Sequence, residues 1–220
     1  MSTQSITAIL SDGRRIVADG IDPMYGTGFE DRLAGLFRTL VQAGDVTIVP
    51  VADEALVTDR HGREPALLIL PRGEAVQLPL LRAGLTRFTG FSGDVNGDLR
   101  DVLLQAESEA RSAERGLWSD SRFKVFTPET APQRDGFTLV EGVPLAVART
   151  RSMVYLNFGE DWRTDFTAAI EPRLLKNDAW DGWDLEALVG RTLRLRGWMR
   201  RYNGAFMTLT SPDQIEILDE

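Results

Sequence analysis

Arg194, Arg196, Trp198, Arg200 and Tyr202 fall at every second position of one run, with Leu193, Leu195, Gly197 and Met199 at the alternate positions up to Arg200. In an extended chain a period of two sends the two sets to opposite faces, so cations and aromatic rings share one outer face. Single-stranded nucleic acid is bound by that mixture, cations for phosphates and rings for stacked bases. The surrounding charge supports a second arrangement. Residues 135–220 hold 10 basic and 14 acidic residues, net −4. Glu160, Asp161, Asp165 or Glu216 could therefore neutralise the arginines across neighbouring strands. Trp162, Trp180 and Trp183 are expected to anchor loops or pack on the first domain.

Other reactive side chains are scarce. Without cysteine there is no disulfide, thiolate zinc site or cysteine nucleophile, and the single histidine, His61, makes neither a metal site nor a triad. Two short segments combine an acid with turn chemistry: Asp22-Pro23, and Asp59-Arg60-His61-Gly62-Arg63, where Asp59 and Arg63 can pair across a tight turn. The whole chain carries −8, so it repels polyanions at long range and any nucleic-acid contact is local.

These residues need a scaffold, and 220 residues with 43% apolar and 26% charged side chains describe a folded protein, best divided into two small domains. Ser5–Leu10 and Arg15–Ile21 read as strands hinged at Asp12-Gly13. Phe29, Leu33, Leu36, Phe37, Leu40 and Val41 have helical spacing, and so do Leu99, Leu103, Ala106, Ala110, Ala113 and Leu117. Val46–Val51 and Ala66–Leu70 read as strands, and Gln77–Ala83 as a short helix ended by Gly84. Residues 121–135, with Pro128 and Pro132, are expected as the linker between domains 1–120 and 136–220. Beyond it, Phe137–Thr150, Met153–Phe158, Asp165–Ile170, Thr192–Tyr202 and Phe206–Leu209 read as strands of a small barrel or sandwich, with a helical patch at Leu185–Val189.

Three blocks of the first domain carry a resemblance: the 59–63 turn, Leu80-Leu81-Arg82-Ala83-Gly84-Leu85, and the run from Ala106 to Ser119 that contains Arg115-Gly116-Leu117-Trp118. Together they resemble the staphylococcal nuclease (thermonuclease) family over roughly Ser5 to Asp120. The resemblance implies a five-stranded OB-type barrel with three helices and, in active members, a calcium-dependent phosphodiesterase that cuts DNA and RNA. It also implies roles residue by residue. Arg63 matches an arginine that clamps the scissile phosphate, and Asp22 matches a metal-binding aspartate. The glutamate expected as general base after the proline is replaced by Met24 or Tyr25, neither of which can act as a carboxylate base. Val17 or a neighbour stands where a second arginine is expected, although Arg14 and Arg15 lie just upstream. The early loop bearing another metal carboxylate has no counterpart, since the chain begins at the strand that would follow it. Glu30 and Asp31 are expected to open the first helix rather than replace the base.

Residues 136–220 resemble the C-terminal OB-like extension of some bacterial thermonuclease-family proteins. The fold expectation is thus mainly β with α, as two OB-like barrels. The leading functional expectation is a catalytically degenerate thermonuclease-like protein serving as a nucleic-acid or protein interaction module, without a cofactor. Two alternatives stand beside it: a calcium-dependent nuclease acting on DNA and RNA, and a purely structural protein-binding scaffold. No run is long and apolar enough for a membrane span, and Met1–Leu10 has no basic start followed by an apolar run. The expected compartment is the cytoplasm as the sequence stands, with export if the true start lies upstream.

Overall fold

A computed structural model describes residues 2–51, 58–59, 61–93, 95, 97–161 and 163–218. The chain divides into two compact units, Met1–Arg122 and Phe123–Glu220. Most of the segment expected as a linker therefore belongs to the second unit.

In the first unit, β1 (Ser2–Gln4), β2 (Thr7–Ile9) and β3 (Arg15–Ala18) form an antiparallel meander. A strand thus precedes the first one expected from the sequence. After the two-residue β4 (Ile21–Asp22) comes α1 (Glu30–Gln42), then β5 (Thr47–Pro50) and β6 (Glu64–Ile69). β3 runs parallel to β6, and β6 pairs antiparallel with β5, giving the order β1-β2-β3-β6-β5. This is an OB-like barrel with α1 between its third and fourth long strands. The apolar stripe of α1 buries Leu33, Phe37 and Val41. Its entry is held by Glu30, whose carboxylate accepts the N–H groups of Gly26 and Thr27.

The rest of the unit consists of α2 (Gln77–Arg82), β7 (Arg87–Phe88), which pairs with β4, and α3 (Gly97–Ser112). α3 ends earlier than its spacing predicts. The chain passes instead into a 3₁₀ turn, Gly116–Ser119, that buries Leu117 and Trp118. Here two motif glycines interlock. Gly84 (φ +65°) and Gly116 (φ +55°) meet through their backbones, and a Cβ on Gly84 would lie 2.1 Å from the Arg115 carbonyl oxygen. The Leu117 N–H donates to the Gly84 carbonyl at 2.8 Å. α3 also brings in Glu107, whose buried carboxylate accepts the Phe88 N–H at 2.8 Å. Most of the sequence signature is therefore explained by packing and backbone contact.

The second unit repeats the same path. Its strands are β8 (Val125–Phe126), β9 (Gly136–Gly142), β10 (Ala146–Arg149), β11 (Val154–Asn157), β12 (Thr167–Ile170), β13 (Leu193–Arg201), β14 (Ala205–Leu209) and β15 (Ile215–Ile217). β10, β11 and β12 form the meander, β12 runs parallel to β14, and β14 pairs antiparallel with β13. β13 then pairs with β9, which continues into β10 and closes the ring. The single strand expected over Phe137–Thr150 is broken at Val143-Pro144-Leu145, where proline has no N–H to offer a ladder. Before β13 the chain makes 3₁₀ turns at Leu174–Lys176, Asp178–Trp180 and Glu186–Leu188, the last within the expected helical patch. Trp180, Leu185 and Leu188 from this region enter the core. No helix among the described residues is long and apolar enough to cross a membrane.

Candidate functional site

The two-stranded ladder β4–β7 sets Asp22 directly opposite Arg87. Arg87 is 2% exposed, and its Nη2 lies 4.0 Å from Asp22 Oδ2. Its Nε and Nη2 also donate to Met24 Sδ, at 3.1 and 2.8 Å. Met24, one of the two residues standing where the family resemblance calls for a glutamate, adopts a left-handed backbone (φ +51°) and donates its N–H to Asp22 Oδ1 at 3.2 Å. Burial pushes the Asp22 carboxyl above its ordinary range, opposed by the Met24 N–H and the Arg87 guanidinium.

This arrangement does not fit a calcium ion. Calcium takes six to eight hard oxygens, whereas Asp22 faces the Arg87 guanidinium and the Met24 N–H, with the Met24 thioether bound to that guanidinium. Among the described residues no group of three or more His, Asp or Glu side chains is arranged to hold a metal. Val17, at the expected arginine position, is buried in the core of the barrel.

Arg63 lies in a separate network. Asp59 Oδ1 accepts the N–H groups of His61 and Arg63 at 2.8 and 3.0 Å, and Asp59 Oδ2 accepts Arg63 Nε at 2.7 Å. Burial works against the charge on Asp59, yet the Arg63 side chain and these two N–H groups hold its carboxyl below the ordinary range. The turn arrangement expected from sequence is thus present. Asp22 faces Arg87 and Arg63 binds Asp59, and among the described residues no hydrogen bond or ion pair joins Asp22 to Arg63. Arg14 is bound in turn by Glu64.

In the second unit the strip along β13 splits in two. Arg194 lies between two acidic neighbours in register, Glu141 on β9 and Glu216 on β15, with Nη2 2.9 Å from Glu141 and Nη1 3.3 Å from Glu216. Arg196 is fully buried and ion-paired with Glu216. The expectation of five residues on one open face is therefore corrected for these two, because β15 covers their end of the strand. Glu216 is among the partners expected from sequence; Glu141 is not, because its register depends on the β9–β13 pairing.

The other end is open. Trp198 is 60% and Tyr202 56% exposed, and Arg200 is exposed between them. Trp198 rests edge-on against Phe137, ring centroids 6.1 Å apart. Arg200 sits over the Phe206 ring at 4.6 Å and near the Tyr202 ring at 5.6 Å. Trp180 and Trp183 meet edge to face within the core region, as anchors; Trp162 lies outside the described residues.

Sequence reasoning misses Arg87. Its alternation with Thr86 and Phe88 gives a local strand signal, but its partner is 65 positions away, and only the β4–β7 ladder identifies it. No curated protein matches this chain. Residues 28–120, which include Arg63, both interlocking glycines and the three α-helices of the described residues, match the family model described as staphylococcal nuclease homologue, and the first unit contains a thermonuclease-like domain over that span.

Proposed function

We propose that this protein is a catalytically degenerate thermonuclease-like protein that serves as a nucleic-acid interaction module. The observation that carries the reading is the Arg87 guanidinium facing Asp22: an internal cation already stands beside the carboxylate that a metal would need. Met24 stands beside it where the family resemblance calls for the carboxylate that activates water, and Arg63, the match to the phosphate clamp, is engaged by Asp59. Binding then falls to the second unit, where Trp198, Arg200 and Tyr202 offer rings and a cation on an open barrel face.

The test uses the full chain with DNA and RNA in millimolar calcium. The expected result is no calcium-stimulated hydrolysis and no calcium heat in calorimetry, alongside single-stranded oligonucleotide binding that weakens as salt rises. Cleavage that copurifies with the protein, needs calcium and disappears in Arg63→Ala would overturn the reading in favour of an active phosphodiesterase.

A further inference from the structure

A cleft of about 350 Å³ opens on the second unit, within the range of small-molecule sites, about 300–1,000 Å³. Its place follows from the register of four strands. On the outer face Arg200 of β13 stands opposite Phe206 of β14, Phe206 beside Thr167 of β12, and Thr167 opposite Asn157 of β11. Tyr155 lies two residues before Asn157 on the same face, and Tyr202 and Asn203 close one end from the β13–β14 turn. That turn is an Asn-Gly turn with both residues at positive φ, Asn203 at +49° and Gly204 at +95°.

The lining has a definite chemistry. Tyr155, Tyr202 and Phe206 supply rings, and the described lining residues are all uncharged. Asn157 and Asn203 each carry a donor and an acceptor. Among the described residues neither amide has a hydrogen-bond partner, so both are available to a ligand. Arg200 stands at the edge over the Phe206 ring, and among the described residues it forms no ion pair. Arg151, in the turn just after the lining residue Thr150, is exposed. An uncharged aromatic cleft with amide donors and acceptors, bordered by a cation, fits a neutral planar body with a polar edge that is tied to an anion. A nucleotide has that form.

We propose that this cleft is a base-binding subsite for single-stranded nucleic acid. A base inserts between the rings of Tyr155 and Tyr202, the amides of Asn157 and Asn203 contact its polar edge, and Arg200 takes the adjoining phosphate. Trp198, two residues along β13 on the same face, stacks a neighbouring base. The inference rests on the nucleic-acid reading above, and its test separates the two.

Fluorescence anisotropy of the full chain would compare a labelled oligothymidylate with an abasic strand of the same length. The abasic strand loses both the base in the cleft and the one on Trp198, so it is expected to bind more weakly by at least the size of one stacking contact, roughly 5- to 150-fold. Tyr202→Ala and Asn157→Ala should each lower affinity for the oligothymidylate at least several-fold, leave affinity for the abasic strand unchanged and leave the thermal midpoint in place. Equal binding of both strands by the wild-type chain, or unchanged oligothymidylate affinity in both folded variants, overturns the cleft while the nucleic-acid reading stands. No binding of either strand at low salt overturns both. If either variant fails to fold, the other decides; if both fail, the two strands are compared on Trp198→Ala, where a remaining preference for the oligothymidylate supports the cleft and its disappearance overturns it.

Discussion

Arg87 in the first unit, on the two-stranded β4–β7 ladder, and Arg200 in the second, on a barrel strand, both face a residue across an antiparallel ladder, yet they have opposite fates. Opposite Arg87 the register sets Asp22, and the guanidinium is 2% exposed. Opposite Arg200 it sets Phe206, and the guanidinium lies exposed over the ring. β13 repeats the contrast along its own length. Arg194 and Arg196 meet Glu141 and Glu216 and are neutralised, whereas the end bearing Trp198 and Arg200 is flanked by Phe137, Thr208 and Phe206. The residue across the ladder, more than the arginine itself, decides whether a cation serves the fold or stays within reach of a ligand.

If Arg87 serves the fold, its removal should be more damaging than the loss of Glu216, Trp198 or Arg63. Arg87→Ala leaves a cavity and a partly buried carboxylate, 13% exposed, without its counter-charge, and breaking a fully buried pair costs about 3–5 kcal/mol. Urea unfolding should show a loss of that order. Asp22 is already raised by burial, and losing the guanidinium raises it further. A raised carboxyl favours the folded state below its unfolded value and loses that advantage as pH rises through the folded value. The deficit of Arg87→Ala should therefore shrink in acid and grow toward neutrality. An equal deficit at all pH values would mean that the cavity, and not the charge, dominates.

Glu216→Ala tests the same idea within β13. It leaves Arg196 buried without the Glu216 carboxylate and takes one of two carboxylates from Arg194. A loss of about 2–4 kcal/mol is expected, with no gain in oligonucleotide affinity attributable to Arg196, which remains covered. A well-folded Glu216→Ala protein of unchanged stability would show that the acid on β15 is incidental.

Trp198→Ala should separate stability from binding in the other direction. The side chain is 60% exposed and touches Phe137 edge-on, so the thermal midpoint should move little. Oligonucleotide affinity should fall by about 1–3 kcal/mol, roughly 5- to 150-fold. A lowered midpoint with unchanged affinity would return Trp198 to the packing role.

Local patterns made much of this molecule legible. The stripe of α1, the turn at 59–63, the Asn203-Gly204 turn and the alternation along β13 each depend on neighbours in sequence, and each is present in the structure. What stayed hidden depends on distant pairing. Arg87 acquires its meaning only from β4, Glu141 only from β9, and the covered end of the strip only from β15. The Arg115-Gly116-Leu117-Trp118 run points to the right family, but its physical content, two glycine backbones in contact, lies in packing that spacing does not reveal. The break in the long first strand of the second unit has its signal in Pro144.

The smallest effect belongs to Arg63, the residue whose family role is most suggestive. Its guanidinium is bound to Asp59 with both side chains about one-quarter exposed, 23% and 27%. A pair this open is worth at most about 0.5–1 kcal/mol, so Arg63→Ala should lower stability by no more than that near neutral pH. Asp59 is held below its ordinary value, so its contribution is present above the unfolded aspartate value of about 3.9 and is lost as pH falls through the folded one. Wild-type and Arg63→Ala unfolding curves should therefore converge in strong acid and stand apart above it. The oligonucleotide affinity of the folded variant should be unchanged, because the cation exposed on the binding face is Arg200, whereas Arg63 is held by Asp59. A drop in affinity larger than the stability loss, at a pH where the variant is fully folded, would return Arg63 to phosphate contact and blur the division between the two barrels.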